Sequence, residues 1–136
     1  MPYWKLYYHV VWSTKNREPL IAGDLDRVIA RSVRMTLESF KAIPHAIGMV
    51  DDHIHVAASI PPAASISEVV ARMKGSSAHA VNDTLGDRTF AWQADYGVLS
   101  FGEKALPDVV DYVSKQRERH AANRLWPSME HATETD

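Results

Sequence analysis

Residues 45–60 place the strongest constraint on the fold, because they form two short apolar-rich runs on either side of Asp51-Asp52. Two such runs separated by a pair of turn-forming residues are typical of an antiparallel hairpin. We therefore predict strands over residues 45–50 and 53–60. The second strand opens on His53-Ile54-His55. Since successive side chains of a strand point to opposite faces, both imidazoles should lie on one face while Ile54 enters the core.

The elements before this hairpin are predicted to be a strand and a helix. Residues 3–14 are rich in Tyr, Trp and Val, which favour extended structure, and a polar loop follows at residues 15–19. Asp24 is a predicted N-cap, and Pro44 is predicted to end the helix. The apolar residues that recur at helical spacing are Leu25, Val28, Ile29, Val33, Leu37 and Phe40.

The elements after the hairpin are predicted to be a helix, further strand-like segments and a final helix. The predicted bounds are 65–80 or 67–80 for the first helix, 89–92 and 96–101 for the strands, and 103–123 or 107–123 for the final helix. This order predicts an α+β fold, a ferredoxin-like split βαβ antiparallel sheet with helices on one face and an additional C-terminal helix. We expect residues 1–127 to form a single domain and the acidic residues 128–136 to form a flexible tail.

The final helix contains a second pair of reactive residues. Tyr112 and Gln116 are four residues apart, which places a phenol beside an amide on one helix face. Together with His53 and His55, this pair predicts a metal-assisted attack by tyrosine. The chain has no cysteine, so any metal must be held by histidine, carboxylate or amide groups. His120 lies one turn beyond Gln116, but we interpret it as a partner of the helix dipole.

Each assignment has a purely structural alternative. His53 and His55 are also consistent with a solvent-facing pair on a half-exposed strand. Tyr112 is also consistent with a core residue, because Val109 and Val113 share its helical stripe. We assign His9 to packing or to hydrogen bonding within the sheet. Since no obvious ligand partner exists for His45 and His79, we also assign these two to packing or to hydrogen bonding within the fold.

Composition limits the possible partners and location. The net charge of −2 argues against strong nonspecific binding to duplex DNA. No stretch approaches the roughly eighteen uninterrupted apolar residues that a membrane helix needs, so we expect no membrane association and a cytoplasmic location.

Six short motifs occur in an order that is more specific than any one of them. They are Tyr8-His9-Val10-Val11-Trp12 with Thr14-Lys15, Gly48-Met49-Val50-Asp51-Asp52-His53-Ile54-His55, Ile60-Pro61-Pro62, Lys74-Gly75-Ser76-Ser77, Tyr96-Gly97-Val98 and Tyr112-Val113-Ser114-Lys115-Gln116. Over nearly its whole length the chain resembles the single-strand tyrosine transposases of the insertion-sequence-200-like family, within the HUH endonuclease superfamily. One departure is that Val50-Asp51-Asp52 precedes the first histidine, where the family usually has Pro-Asp.

The resemblance implies a small homodimeric enzyme that recognises hairpins in single-stranded DNA and nicks beside them. The 5′ end is then held as a phosphotyrosine until the 3′-OH of a second strand displaces it. Carried over by position, His53 and His55 are ligands of Mg²⁺ or Mn²⁺, Tyr112 is the nucleophile, and Gln116 completes the metal site. In this family the tyrosine helix of one subunit can serve the histidines of the other, so the resemblance allows active sites shared across the dimer.

Four basic residues are candidates for phosphate contact: Lys15, Arg17, Arg72 and Lys74. A solvated surface charge is the alternative for each of them. A different function also stays open at this point, namely a noncatalytic or domesticated module that binds single-stranded nucleic acid on the same fold. Dependence on a divalent ion separates that module from the transposase.

Overall fold

Four strands form one antiparallel sheet within residues 2–133, the part of the chain that this computed structural model describes. The strands are β1 (Tyr7–Ser13), β2 (Ile43–Val50), β3 (His53–Ser59) and β4 (Gly97–Phe101), and the helices are α1 (Leu25–Ser39), α2 (Ile66–Leu85), α3 (Leu106–Ser114) and α4 (Gln116–Ala121). The sheet order is β2-β3-β1-β4. The α+β fold with an antiparallel sheet is therefore confirmed.

The two faces of the sheet are covered by different elements. Ile54, Val56 and Ala58 of β3 pack in the main hydrophobic cluster with α1 and α2. Ala57, on the other face, packs in a second cluster with Tyr112 of α3. Because side chains alternate along β3, His53 and His55 share the face of Ala57 and lie on the side of α3.

Helix α2 begins where its sequence predicts but extends to Leu85, beyond the predicted bound of residue 80. Ser65 is the N-cap, and its hydroxyl accepts a hydrogen bond from the backbone N–H of Glu68. Gly86 ends the helix in the left-handed conformation, with φ of 73°, which costs glycine little. No helix within residues 2–133 combines the length and apolar character that crossing a membrane requires.

Three other predicted boundaries were wrong. Strand β1 begins at Tyr7, and residues 89–92 contribute only a bridge between Thr14 and Trp92. Pro44 does not end α1, which stops at Ser39, but lies inside β2, where the register shifts beside it. Proline is tolerated there because β2 is an edge strand and needs fewer backbone donors than a central strand.

The C-terminal part of the chain also departs from its prediction. The single predicted helix is divided into α3 and α4 at Lys115, whose backbone leaves the helical conformation. Residues 128–133 were expected to belong to a flexible tail, yet Met129 and Ala132 are buried, because these apolar side chains pack back onto the fold. The rest of the predicted tail, residues 134–136, lies outside the described residues, as does Met1.

Candidate functional site

His53 and His55 are both buried and point toward a common centre. Their ring centroids are 5.1 Å apart. His53 Nδ1 lies 2.7 Å from Asp52 Oδ1, and His55 Nδ1 lies 2.8 Å from His9 Nε2. Because hydrogen bonds to Asp52 and His9 engage the two Nδ1 atoms, the Nε2 atoms face the centre. The sequence prediction that both imidazoles share a face of the strand is confirmed.

A third histidine and a carboxylate complete this cluster. His120 of α4 places its Nε2 atom 3.1 Å from His53 Nε2. Glu130 Oε1 lies 3.2 Å from His53 Nε2 and 3.4 Å from each of His55 Nε2 and His120 Nε2. The ligand atoms of these four residues lie within 4.8 Å of one another. The cluster therefore gathers three imidazole nitrogens around one carboxylate oxygen.

These donors fit a divalent metal ion. His55 Nε2 is buried and makes no hydrogen bond within residues 2–133, with Glu130 Oε1 3.4 Å away, so it is available as a ligand atom. An ion about 2.1 Å from each ligand holds neighbouring ligand atoms about 3 Å apart, close to the separation of the His53 and His120 nitrogens. Imidazole and carboxylate together suit Mn²⁺ and, less strongly, Mg²⁺.

Electrostatics keep the carboxylates of the cluster charged. The hydrogen bond from His53 holds the pKa of Asp52 below its usual range. Burial raises the pKa of Glu130, but the contacts with His53 and His55 outweigh burial and hold that pKa well below normal. Burial likewise disfavours the charged form of His53, yet its two carboxylate partners raise the pKa overall. Two ionised carboxylates beside three imidazoles favour a cation at the centre.

Tyr112 meets the same carboxylate from the other side. Its hydroxyl donates a hydrogen bond to Glu130 Oε2 and accepts one of 3.0 Å from the backbone N–H of Trp126. The Tyr112 side chain is fully buried, with the Trp126 ring stacked 4.5 Å away and the Arg119 guanidinium 4.8 Å from its centroid. Burial, with help from Glu130, raises the pKa of the Tyr112 phenol to about 12. Glu130 therefore links the phenol to the histidine cluster.

Gln116 borders the cluster through His120. The side chain is buried, its Nε2 donates to the backbone carbonyl of Tyr112 at 2.9 Å, and its Oε1 lies 3.1 Å from His120 Nε2. The amide oxygen is thus turned toward the same centre as the imidazoles.

Gly48 of β2 sets the position of α3 and hence of Tyr112. A Cβ atom built on Gly48 would lie 1.7 Å from the carbonyl oxygen of Val113, which is backbone and has no rotamer to change. The close approach of α3 to the sheet therefore requires glycine at this position.

Gly48→Ala is expected to lower the free energy of unfolding by about 1–3 kcal/mol, because α3 must move away from β2. Urea unfolding followed by circular dichroism measures the change. Gly75→Ala is the matched control: Gly75 lies inside α2 with open space around its would-be Cβ, so alanine should stabilise the helix by about 0.5–1 kcal/mol. A Gly48→Ala chain as stable as wild type would show that α3 does not depend on this contact.

The four candidate phosphate contacts lie in two places. Lys15 and Arg17 occupy a short 3₁₀ turn after β1, which is tied to the β2–β3 turn by a 2.8 Å bond from Thr14 N–H to the Asp52 carbonyl. The structure thus places these two residues next to the turn that precedes His53.

Arg72 and Lys74 lie elsewhere, on α2, which packs on the opposite face of the sheet from the histidines. The Lys74 ammonium donates to the backbone carbonyls of Gln93 and Asp95, at 2.5 and 3.0 Å. The Arg72 guanidinium lies 5.9 Å from the centre of the Phe40 ring. Local structural partners therefore account for the positions of both side chains.

Two residues of the cluster, His120 and Glu130, were not predicted as ligands from the sequence. His120 offered a signal, since it continues the four-residue spacing of Tyr112 and Gln116. Glu130 offered none, because it belongs to a segment without periodicity and reaches the site only when the chain folds back over α3.

Comparisons with known proteins agree on one kind of protein. Residues 2–116 match the family described as "Transposase IS200 like". The transposase for insertion sequence element IS200 of Salmonella typhimurium is 28% identical over 121 residues, which cover 85% of this chain and 79% of that protein. The ISDra2 transposase TnpA of Deinococcus radiodurans is 23% identical over 129 residues, covering 85% of this chain and 87% of that protein.

One solved structure supports the fold independently. The structure of a REP-associated tyrosine transposase bound to a REP hairpin aligns with a TM-score of 0.65 at 13% identity. The alignment covers 100% of this chain and 94% of that protein.

Proposed function

Since the chain belongs to the family of IS200-like transposases, and is thus a DNA-cleaving enzyme, we propose that it nicks and rejoins single-stranded DNA through a 5′-phosphotyrosine on Tyr112. The substrate is an element end marked by a hairpin. The observation that supports this best is the convergence of the Tyr112 hydroxyl and three imidazole nitrogens on the Glu130 carboxylate. A neighbour of the same fold was solved with a REP hairpin, which supports hairpin recognition.

His53 and His55 hold the metal ion in this proposal, with His120 and Glu130 beside them and the Gln116 amide oxygen at the border. An Mg²⁺ or Mn²⁺ ion held by these residues would supply positive charge to offset the charge that develops on the phosphate oxygens. The two histidine ligands favour Mn²⁺, because imidazole is a softer donor than oxygen.

Tyr112 performs the covalent step. Its Oη atom forms a bond to phosphorus, the bond from phosphorus to the 3′ oxygen breaks, and a free 3′-OH leaves. Glu130 Oε2 already accepts the phenolic hydrogen bond and so holds Oη in place, and the phenolic proton passes through this carboxylate to the departing 3′ oxygen, which leaves as the 3′-OH. Trp126 must first move, because its backbone N–H donates a hydrogen bond to the Tyr112 hydroxyl oxygen and its ring stacks on the phenol. The reverse reaction with a second 3′-OH rejoins the strands without another cofactor.

One chain supplies every group of this site, since Tyr112 and the histidines meet at Glu130 of the same chain. We propose one nuclease domain that includes at least residues 1–127 and uses its own tyrosine. A homodimer, which the family resemblance implies, then pairs two complete sites. Lys15 and Arg17, next to the turn that precedes His53, are the basic residues best placed to contact the DNA backbone.

The test is incubation of the protein with labelled single-stranded DNA from the hairpins that flank its gene. With Mn²⁺, a denaturing gel should show a protein–DNA adduct, and a chelator should prevent it. The same DNA with its hairpin sequence scrambled is the control and should yield no adduct. Binding of the DNA without an adduct, with either Mn²⁺ or Mg²⁺, would instead support the noncatalytic binding module.

A further inference from the structure

His9 is a third buried histidine on the face of the sheet that holds the cluster. It lies on β1 opposite Ala57 of β3, two residues before Val11, which pairs with His55. Its Nε2 atom is 2.8 Å from His55 Nδ1, and the two ring centroids are 5.0 Å apart. The sequence predicts packing or hydrogen bonding within the sheet for His9, and the structure shows that its bond is made to a candidate metal ligand.

Packing alone does not explain a histidine at this position. His9 is 1% exposed, and its Nδ1 atom has no hydrogen-bond partner among residues 2–133. A buried polar atom without a partner costs about 1–3 kcal/mol. A leucine would fill a similar volume without that cost, so the imidazole needs a reason beyond stability.

The bond to His55 supplies that reason. A neutral imidazole has one N–H, and a metal ligand must offer its other nitrogen unprotonated. If His55 Nε2 binds the ion, the His55 proton resides on Nδ1 and needs an acceptor. His9 Nε2 is in place to accept it, just as Asp52 Oδ1, 2.7 Å from His53 Nδ1, serves the first histidine.

We propose that His9 is a positioning residue for the metal centre, which accepts the Nδ1 proton of His55 and so presents His55 Nε2 to the ion. This inference rests on the metal site of the proposed function. His9 suits the role because its Nε2 atom lies 2.8 Å from His55 Nδ1 on a ring that is only 1% exposed, so that water does not compete as the acceptor. Asp52 supports its histidine with a charge, whereas His9 supports His55 without one.

The test compares two replacements of His9. His9→Leu removes the acceptor and is expected to weaken Mn²⁺ binding by about 10–100-fold, the usual effect of losing an outer partner of a metal ligand. His9→Gln places an amide oxygen as many bonds from Cα as Nε2 is, and should restore most of the affinity. Electron paramagnetic resonance of free Mn²⁺ measures both without DNA. His45→Leu is the control, because His45 bonds to the Ser59 hydroxyl instead of to a ligand.

Two results would overturn the inference: a folded His9→Leu chain that binds Mn²⁺ like wild type, or equal losses in the Leu and Gln variants, which would indicate packing. Nitrogen-15 spectra of wild-type histidines with Zn²⁺, a diamagnetic probe, give a second measurement if His9→Leu does not fold. We expect protons on Nδ1 of both His9 and His55, and a proton on His9 Nε2 would contradict the proposal. A chain that binds Mn²⁺ but forms no DNA adduct would refute the proposed function and leave this inference standing.

Discussion

Tyr112→Phe is expected to abolish the covalent adduct and to lower strand cleavage by about three orders of magnitude or more, the usual scale for loss of a nucleophile. The replacement removes one oxygen and keeps the ring, so the stack on Trp126 and the contact with Arg119 are retained. Binding of hairpin DNA should change little, because the replacement removes a single oxygen atom that meets only the phosphate under attack. Denaturing gels measure the adduct, and gel shifts measure binding.

The structural cost of this change should be small enough to keep the chain folded. Loss of the hydroxyl leaves the Trp126 N–H and one Glu130 oxygen without their partner, which costs about 1–3 kcal/mol against the 5–15 kcal/mol typical of a domain. Tyr7→Phe is the control, because Tyr7 stacks on Phe101 away from the cluster and should keep full activity. An adduct of unchanged yield in Tyr112→Phe would mean that another residue attacks the DNA.

The histidine pair was predictable because its geometry is local. Alternation along β3 alone decides that His53 and His55 share a face, and no distant part of the chain can change that. The fold was predictable for a similar reason, since each strand and helix has its own hydrophobic pattern. Pro44 shows the limit of local signals, because whether proline breaks an element depends on that strand being at the edge of the sheet.

The rest of the site depends on contacts between distant residues. His120 reaches His53, 67 positions away, from α4, which begins where the chain leaves the helical path at Lys115. Glu130 reaches Tyr112 from 18 positions away, because Met129 and Ala132 are buried on either side of it. No periodicity marks such a return of the chain, so sequence alone left the carboxylate of the cluster in an apparent tail.

His53→Ala removes a metal ligand itself. It is therefore expected to weaken Mn²⁺ binding by more than the roughly 10–100-fold that follows loss of a residue hydrogen-bonded to a ligand. The change also removes the contacts that His53 makes with the Asp52 and Glu130 carboxylates. Adduct formation should fall with metal binding. Calorimetric titration with Mn²⁺ measures the affinity, and His79→Ala, an exposed histidine on α2, is the control. Unchanged Mn²⁺ affinity in His53→Ala would remove His53 from the metal site.

Mixing the His53→Ala chain with the Tyr112→Phe chain tests whether the tyrosine and the histidines of one site must come from one molecule. Within one chain the Tyr112 and His55 rings are 5.9 Å apart and both side chains contact Glu130, so no second chain is needed. Dimers of the two inactive variants, purified through two different tags, should therefore stay inactive. Recovery of adduct in such dimers would contradict the single-chain site. It would mean that the tyrosine of the His53→Ala chain serves the histidines of the other, which requires α3 and α4 to leave the positions they occupy here.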